Sequence, residues 1–423
     1  MKFTMKRNAI ALIIISLLLS SNVFSQNNGG YKSAFSDRVN QLMSQDYGRV
    51  ITTAVPFLLI APDAKAGSMG DAGVASAPDA SSMHWNPAKY AFAEKDMGIA
   101  ISYAPWLRQL VNDIGLAYLS GYKKIDNMSA IGASLEYFSL GDITFTDNIG
   151  NPTGNYRPSE FSFDITYSRK LSKSFSGAVA ARYINSNLTL GQYTSGGQET
   201  HAGQSVAADV AVYYQKNIKI DKTKALIAFG ANISNLGAKI SYTSTTQKDF
   251  IPANLRIGTS VTMFLDDYNK LTAMIDLNKL LVPTPPIYMP STSGIQDSIG
   301  HDGNKVILSG MDPNVGIVSG MFQSFYDAPL GFKEELREIT YSLGLEYWYD
   351  NQFAIRAGYF HESMYKGNRQ FLTLGAGLKY NVFGLDFAYL IPTEQRNPLQ
   401  NTLRFTLTFD FDSFNNQNEK APK

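Results

Sequence analysis

Three glycines at three-residue spacing raise the question of what chemistry this chain could perform. They are Gly67, Gly70 and Gly73, in the stretch GSMGDAGVASAPDASSMHWNPAKY. Phosphate-binding loops follow a strand and read G-x-x-x-x-G-K-[ST] or G-x-G-x-x-G. Here the spacing differs, no Lys-Ser or Lys-Thr follows, and no strand is predicted before the run. We therefore predict a narrow segment that passes close to other backbone, and no phosphate site.

Other residues that could support catalysis or metal binding are scattered. The four histidines are His84, His201, His301 and His361, and none lies three or four residues from another. The chain has no cysteine and neither an H-E-x-x-H nor a G-x-S-x-G motif. The sequence therefore predicts no catalytic residues, no metal ligands and no cofactor, and a protein that is not an enzyme.

The composition points to membrane β structure. Charged residues make up 17% of the 423 residues, against about 25% in ordinary soluble proteins. The chain has 24 tyrosines, 25 phenylalanines and 34 glycines, which suits turn-rich, aromatic strands. Basic residues (37) and acidic residues (36) nearly balance, so there is no basic surface for nucleic acid.

The N-terminus has the pattern of a secretory signal peptide. A basic start precedes the apolar run 9–19, and Val23 and Ser25 place small residues before a cleavage site. The alternative is a membrane anchor, but this run is shorter than the roughly 20 residues that a spanning helix needs. We predict a signal peptide over 1–25, and no later stretch is apolar enough for a spanning helix.

Beyond the signal peptide, alternating apolar and polar residues predict strands. The clearest run is 403–411, where Leu403, Phe405 and Leu407 alternate with Arg404 and Thr406. Most such segments have the length of tilted membrane strands. The candidates, 14 in number, are 97–105, 112–122, 128–140, 159–171, 175–189, 204–216, 224–235, 253–265, 269–281, 338–349, 352–362, 369–380, 382–391 and 401–411.

The links between these segments alternate in length. Long links follow odd-numbered strands, as in 141–158, 236–252 and 282–337, and short turns follow even-numbered ones. Outer-membrane barrels show this alternation between extracellular loops and periplasmic turns, whereas a soluble β-sandwich has no reason for it. We predict an all-β fold, a 14-stranded antiparallel transmembrane β-barrel over 96–411, with a periplasmic tail at 412–423.

The lumen-facing positions of this barrel carry charges of both signs. Charges withdrawn from water are expensive unless paired. Two explanations stay open, namely ion pairs across strands or to an internal plug, and hydration in a wide lumen. The lumen charges of interest are Glu136, Asp164, Arg182, Arg256, Glu346, Arg356 and Arg404.

The glycine run then predicts a plug inside the barrel. We assign the plug, or hatch, to 61–95, after a periplasmic or lumenal extension over 26–60. Asn86-Pro87 should end any short helix and turn the chain toward the wall, because the residue before proline avoids the helical region. The predicted plug residues are Gly67, Gly70, Gly73, Trp85, Asn86 and Pro87.

The longest predicted loop, 282–337, is the candidate partner surface. Loops beyond about 15 residues are commonly functional or disordered. The alternative is a loop that folds back to cap its own barrel. The candidate partner-binding and cargo-binding residues are Tyr288, Phe322, Phe325, Tyr326, Leu330, Phe332 and Leu336.

The glycine stretch and Asn86-Pro87-Ala88 resemble the hatch of the FadL-type fatty-acid transporter barrels, which have 14 strands. Residues 54–92, AVPFLLIAPDAKAGSMGDAGVASAPDASSMHWNPAKYAF, look like the PorV family, the FadL-like barrels of type IX secretion in Bacteroidetes. The resemblance implies a protein of the Gram-negative outer membrane. The extension before the hatch departs from the transporters and counts against simple lipid uptake.

This resemblance implies three protein partners: a giant translocon barrel, the C-terminal signal domains of secreted cargo, and a sortase-like protein of the surface attachment complex. It implies a cargo shuttle that docks at the translocon and carries cargo to that complex. The alternative function is transport of long-chain fatty acids or other hydrophobic molecules. Outer-membrane lipid surrounds the barrel in either case, and a bound lipid or lipopolysaccharide stays open.

Overall fold

The computed structural model describes residues 43, 48–107, 113–146, 149–189, 191, 197–243, 248–290, 298–300, 303–394 and 397–412. Four sequence predictions fall on other residues and lie outside the described ones. They are the signal peptide at 1–25, most of the extension up to residue 47, His301, and the tail beyond residue 412.

Fourteen antiparallel strands of the described chain close into a barrel, so the predicted fold class is confirmed. Two further strand pairs form hairpins in loops: β4 (Ile143–Thr146) with β5 (Pro152–Tyr156), and β12 (Ile287–Tyr288) with β13 (Ile307–Ser309). The wall strands are β1 (Met97–Pro105), β2 (Gly115–Lys124), β3 (Ser129–Ser139), β6 (Ser159–Lys170), β7 (Phe175–Asn187), β8 (Gly203–Ile220), β9 (Thr223–Gly237), β10 (Asn254–Phe264), β11 (Asn269–Leu280), β14 (Thr340–Tyr349), β15 (Phe353–His361), β16 (Gln370–Tyr380), β17 (Phe383–Pro392) and β18 (Leu403–Phe411).

The first and last wall strands close the barrel. β1 pairs with β18, with Met97 opposite Phe411, so the fourteen wall strands have no open edge. In β18, Phe405 and Leu407 are exposed on the outside, whereas Arg404 is buried in the lumen. This alternation is what the sequence pattern predicted, since successive side chains of a strand point to opposite faces.

Two strand ends differ from the sequence prediction by three residues or more. The link predicted at 217–223 is only a turn at Asp221 and Lys222, because Ile218 and Ile220 continue the strand alternation of β8. Asp221 has φ of 54°, which suits a tight hairpin turn. The second predicted strand begins at Gly115 and not at residue 112.

Residues 54–93, which we call the lumenal segment, run through the inside of the barrel. The segment contains a 3-10 helix at Pro56–Leu59, the one-turn helices α1 (Ala64–Gly67) and α2 (Ser82–Trp85), and a 3-10 helix at Pro87–Phe92. α1 packs against β16, β17 and β18, and the second 3-10 helix packs against β3, β6, β7 and β8. The segment therefore contacts opposite sides of the wall.

Glycines let the lumenal segment approach the wall closely. Gly70 has φ of 69°, a conformation that glycine adopts without strain. A Cβ added to Gly358 of β15 would lie 2.1 Å from the backbone nitrogen of Gly70. A Cβ on Gly73 would lie 2.4 Å from the Trp85 ring. These contacts require glycine on both the segment and the wall.

The two ends of the barrel differ, and the lumenal segment runs between them. The end with the long loops, the long-loop end, faces the cell exterior in barrels of this kind. Residues 48–60 lie at that end, where the Ala54 N–H bonds to the Phe250 carbonyl and the Phe57 ring stacks on Phe138. The assignment of 26–60 to a periplasmic or lumenal extension stays a prediction. At the short-turn end, Lys170 Nζ lies 5.0 Å from the ring centre of Phe92.

The loop between β11 and β14 contains two helices, α3 (Ile317–Gln323) and α4 (Phe332–Arg337). Neither helix was predicted from the sequence. No helix among the described residues combines the length and apolar character needed to cross a membrane.

Candidate functional site

Buried charges hold the long loop onto the barrel. Lys279, near the end of β11, donates from Nζ to Glu335 at 3.1 Å and to Glu338 at 2.7 Å. Lys366 donates from Nζ to Glu334 at 2.8 Å and to Glu338 at 2.9 Å. We call this set the loop ion cluster; its members are Arg49, Lys279, Glu334, Glu335, Glu338 and Lys366.

The local sequence explains how the cluster forms. Glu334 and Glu335 lie in the first turn of α4, where the helix dipole favours negative charge. Gly331 precedes the helix with φ of 71°, so glycine is needed at that position. Glu335 also accepts a hydrogen bond from the Ala328 N–H at 2.8 Å, which closes the turn before α4.

Glu334 also joins the loop to the start of the described N-terminal segment. Arg49 donates from Nε and Nη2 to the two carboxylate oxygens of Glu334, both at 3.0 Å. Burial by itself would raise the pKa of Glu334, but the hydrogen bonds from Arg49 and Lys366 outweigh it and lower that pKa. Glu334 is therefore held as a carboxylate between two cations.

Asp327 lies on the same buried side of the loop without a cation. One carboxylate oxygen accepts from the Thr284 N–H at 3.1 Å, and the other has no hydrogen-bond partner among the described residues. Burial raises the pKa of Asp327 to about 6. This carboxyl therefore changes its protonation closer to neutrality than an ordinary aspartate does.

Apolar side chains are exposed on α3, on α4 and on the link between them. Five of the seven residues predicted for partner binding are exposed there, with Phe332 at 76% and Phe322 at 67%. Val318, 66% exposed and one helical turn before Phe322, was missed by the sequence reading. We call this set the apolar loop surface; its members are Val318, Phe322, Phe325, Tyr326, Phe332 and Leu336.

The remaining two predicted residues lie elsewhere. Leu330 is half-buried, and its N–H donates to Glu334 at 3.0 Å. Tyr288 belongs to the β12–β13 hairpin, where Lys305 Nζ lies 5.1 Å from its ring centre. Neither residue belongs to the apolar loop surface.

The predicted lumen charges are all buried, and most form ion pairs. Arg182 pairs with Asp164 and with Asp209, the latter at 3.2 Å. Arg356 pairs with Glu346 at 2.7 Å and with Asp386 at 2.6 Å. Of the two explanations for a mixed lumen, ion pairing accounts for these groups. Arginine suits such sites because its planar fork can bond two carboxylates.

Other lumen charges contact the lumenal segment. Arg404 pairs with Asp71 at 2.8 Å, and Arg256 donates to the His84 carbonyl at 2.9 Å. The Glu136 carboxylate lies 4.0 Å from the His84 ring. The segment therefore supplies partners that the wall alone lacks.

The predicted plug residues are also tied to the wall or to each other. The N–H groups of Gly73 and Val74 donate to Asp276 of β11, at 2.7 and 2.8 Å. The Asn86 side chain donates to Val74 and to the Val212 carbonyl of β8, at 3.1 and 3.0 Å.

The Asn86-Pro87 pair acts as a helix boundary. α2 ends at Trp85, and Asn86 is extended with φ of −163°. The Asn86 side chain then accepts from the Ala88 N–H at 3.0 Å and caps the 3-10 helix that begins at Pro87. The helix therefore ends where the sequence predicted. The chain does not continue directly into a wall strand, however, because the 3-10 helix Pro87–Phe92 comes first.

Lys65 and Asp79 pair within the lumenal segment at 2.7 Å. Lys89 instead contacts the Gly73 carbonyl and the Ser76 hydroxyl, at 2.8 and 2.9 Å.

A cavity of about 410 Å³ lies above α1 at the long-loop end. Its lining includes the aromatic residues Trp106, Phe360 and Phe371. Arg369 and Arg404 also line it. Among the described residues, no group of His, Cys, Asp and Glu side chains has the geometry of a metal site.

Residues 43–287 match the family model for the type IX secretion system protein PorV. This chain belongs to the PorV family. It is therefore an outer-membrane component of type IX secretion, and the resemblance seen in residues 54–92 is confirmed.

Solved structures similar to this PorV-family chain include two toluene transporters and a FadL homologue. The Ralstonia pickettii toluene transporter TbuX is 12% identical, with a TM-score of 0.43, and the match covers 82% of this chain and 98% of that one. A Pseudomonas aeruginosa FadL homologue is 13% identical, with a TM-score of 0.41 and coverage of 86% and 100%. The Pseudomonas putida toluene transporter TodX is 12% identical, with a TM-score of 0.44 and coverage of 87% and 100%. A search of curated proteins returned no match.

Proposed function

We propose that this protein is a non-enzymatic cargo carrier of type IX secretion. It docks at the giant translocon barrel and binds the C-terminal signal domain of secreted cargo through its extracellular loops. It then carries cargo to the surface attachment complex with its sortase-like protein. The observation that carries this proposal is the apolar loop surface on α3 and α4.

The chemistry of this surface suits a protein partner. Aromatic residues are enriched in protein interfaces, and contiguous exposed apolar patches on the soluble side of a protein mark interaction sites. The loop ion cluster fixes α4 before any partner arrives. A pre-organised surface loses less conformational entropy on binding, so more of the contact energy appears as affinity.

The alternative is a loop that only caps its own barrel. This role would account for the inward side of α4 but not for its outward side. Glu334 and Glu335 face inward to Lys279 and Lys366, whereas Phe332 and Leu336 face outward. Capping the barrel would require only the inward side of α4. The outward apolar side has no partner within the described chain and supports binding of a second protein.

Affinity purification from native outer membranes tests this function. The triple variant Phe322→Ser, Tyr326→Ser, Phe332→Ser should assemble at normal levels and lose most of the cargo recovered with the wild-type barrel. The matched control is Ile149→Ser, an exposed apolar residue on the β4–β5 loop. Unchanged cargo recovery with the triple variant would exclude the apolar loop surface as the binding site.

We also propose that the lumenal segment is a plug. Its support is the set of bonds to Asp276, Val212 and Arg404, which join it to three parts of the wall. Breaking several of these bonds together would leave buried charges unpaired, which is costly. A plug of this kind separates the two ends of the lumen.

A second candidate function, transport of long-chain hydrophobic molecules, is favoured by the cavity at the long-loop end. Its aromatic lining residues and its arginines would suit an acyl chain with an acidic head. The lining also contains the ion pair of Arg404 with Asp71, however, and the lumen holds the ion pair of Arg356 with Glu346. Lipid extraction from the purified native barrel separates the candidates: bound fatty acid without cargo or translocon supports transport, and cargo recovery supports the carrier.

A further inference from the structure

The chain enters the barrel at the long-loop end. The Ala54 N–H donates to the carbonyl of Phe250, in the loop between β9 and β10, at 2.9 Å. The Phe57 ring stacks on Phe138 near the end of β3, with ring centres 6.3 Å apart. Phe250 lies in a long loop, and Phe138 lies at the loop end of its strand. The fully buried Val55 and Phe57 therefore lie just inside the mouth of the barrel.

Residues before Ala54 contact the loops above the wall. Arg49 pairs with Glu334 of α4, and the Gly48 backbone lies against the Tyr365 carbonyl in the loop between β15 and β16. Val50 is 46% exposed. The described chain at 48–53 is thus outside the wall strands, next to two extracellular loops.

The lumenal segment leaves at the opposite end. The Lys124 N–H, at the turn end of β2, donates to the Asp96 carbonyl at 2.8 Å. Lys95 pairs with Asp412, which follows the last wall strand, at 2.9 Å. Residues 94–97 and the end of β18 therefore lie together at the short-turn end.

We propose that the polypeptide enters the barrel from the cell surface, so that residues 48–53 face the exterior while the end of β18 faces the periplasm. An even number of wall strands starts and ends on the same side of the membrane. The lumenal segment adds one more passage through the barrel, from the long-loop end to the short-turn end. The two ends of the described chain are then on opposite sides of the outer membrane. This topology does not depend on the cargo function proposed above.

The absence of native cysteine gives this topology a direct test. The variants are Val50→Cys at the mouth, Ser319→Cys on α3 as the surface control, and Asn127→Cys in the β2–β3 turn as the periplasmic control. All three positions are exposed. Intact cells are treated with a membrane-impermeant maleimide, and labelling is repeated after the outer membrane is permeabilised and after denaturation.

We expect Val50→Cys to label in intact cells as Ser319→Cys does, while Asn127→Cys labels only after permeabilisation. Thr52→Cys, also exposed, provides a second position if the first variant fails to assemble. Labelling of both mouth variants only after permeabilisation would place this segment in the periplasm and overturn the proposal. Labelling only after denaturation would overturn it as well, because residues 48–53 would then be closed off inside the barrel.

Discussion

Arg49 and Glu334 form a two-bond ion pair that joins the mouth of the barrel to the long loop. Both donor–acceptor distances are 3.0 Å, and the two residues are 285 positions apart in the chain. Because Glu334 also binds Lys366, the pair connects the N-terminal segment, α4 and the loop between β15 and β16. These ion pairs hold α4 in place with its apolar side facing outward.

The first prediction concerns this pair. Arg49→Ala removes two hydrogen bonds to a buried carboxylate, so the free energy of local opening of α4 should fall by about 1.5–3 kcal/mol. Hydrogen–deuterium exchange of peptides from 332–338 measures this change. The matched control is Arg157→Ala, which breaks an exposed pair with Asp142 of similar geometry and should have little effect. Equal exchange in both variants would mean that Arg49 does not hold the loop.

The second prediction is a pH dependence of the long loop. Asp327 has an ordinary pKa of 3.8 and a folded-state pKa of about 6. Its raised pKa means that the folded loop binds the proton more tightly than the unfolded loop. The group therefore stabilises the loop most below about pH 4, and this contribution is lost as pH rises through about 6.

Exchange of the α3 and α4 peptides at pH 5 and pH 7.5, corrected for intrinsic rates, checks this dependence. The wild-type loop should open more readily at pH 7.5, and Asp327→Asn should show a smaller difference. Glu334 acts in the opposite direction, because its lowered pKa gives stability that is lost only on acidification below its ordinary value. If the wild-type loop opens more readily at pH 5, the assignment to Asp327 is wrong.

The third prediction concerns the contact between the lumenal segment and the wall. Gly358→Ala would place a methyl group 2.1 Å from the Gly70 nitrogen, and a backbone neighbour cannot move aside easily. We expect a lower temperature of conversion of the heat-modifiable band, and an ionic conductance that the wild-type barrel lacks. Gly177→Ala is the control, since its nearest neighbour would be 3.6 Å away. A Gly358→Ala barrel that is as stable and as closed as wild type would contradict the plug.

The fourth prediction concerns the ion pairs of the lumen. Arg356→Met leaves Glu346 and Asp386 buried without their cation, which should lower stability by about 3–5 kcal/mol. The triple variant Arg356→Met, Glu346→Gln, Asp386→Asn removes the charges together and should recover most of that loss. Heat-modifiable migration of the purified barrels measures both. If the single and triple variants are equally unstable, packing and not charge holds this region.

The wall strands can be predicted well from the sequence, because each strand pattern depends only on residues close together in the chain. Alternation along each strand decides which side chains face lipid, and the pattern in 403–411 needs no distant contact to be read. Arg404 and Phe405 are therefore placed correctly from their neighbours alone. The alternation of long and short links can likewise be predicted one link at a time along the chain.

The loop ion cluster could not be predicted in the same way. Its cations come from residues 49, 279 and 366, on three separate parts of the chain, and only barrel closure brings them to α4. Alternation along a strand says nothing about such partners. The exposed side chains of α3 and α4 were found because aromatic residues are conspicuous, whereas Val318 was missed because a lone valine is not.

The central claim is that the apolar loop surface binds cargo. The most direct measurement is the dissociation constant between the purified barrel and an isolated C-terminal signal domain of a secreted cargo protein. Truncating interface hot spots costs about 2 kcal/mol or more, so the triple variant Phe322→Ser, Tyr326→Ser, Phe332→Ser should bind at least roughly 30-fold more weakly than wild type. Ile149→Ser should bind as wild type does. Equal affinity of the wild-type barrel and the triple variant would contradict the claim.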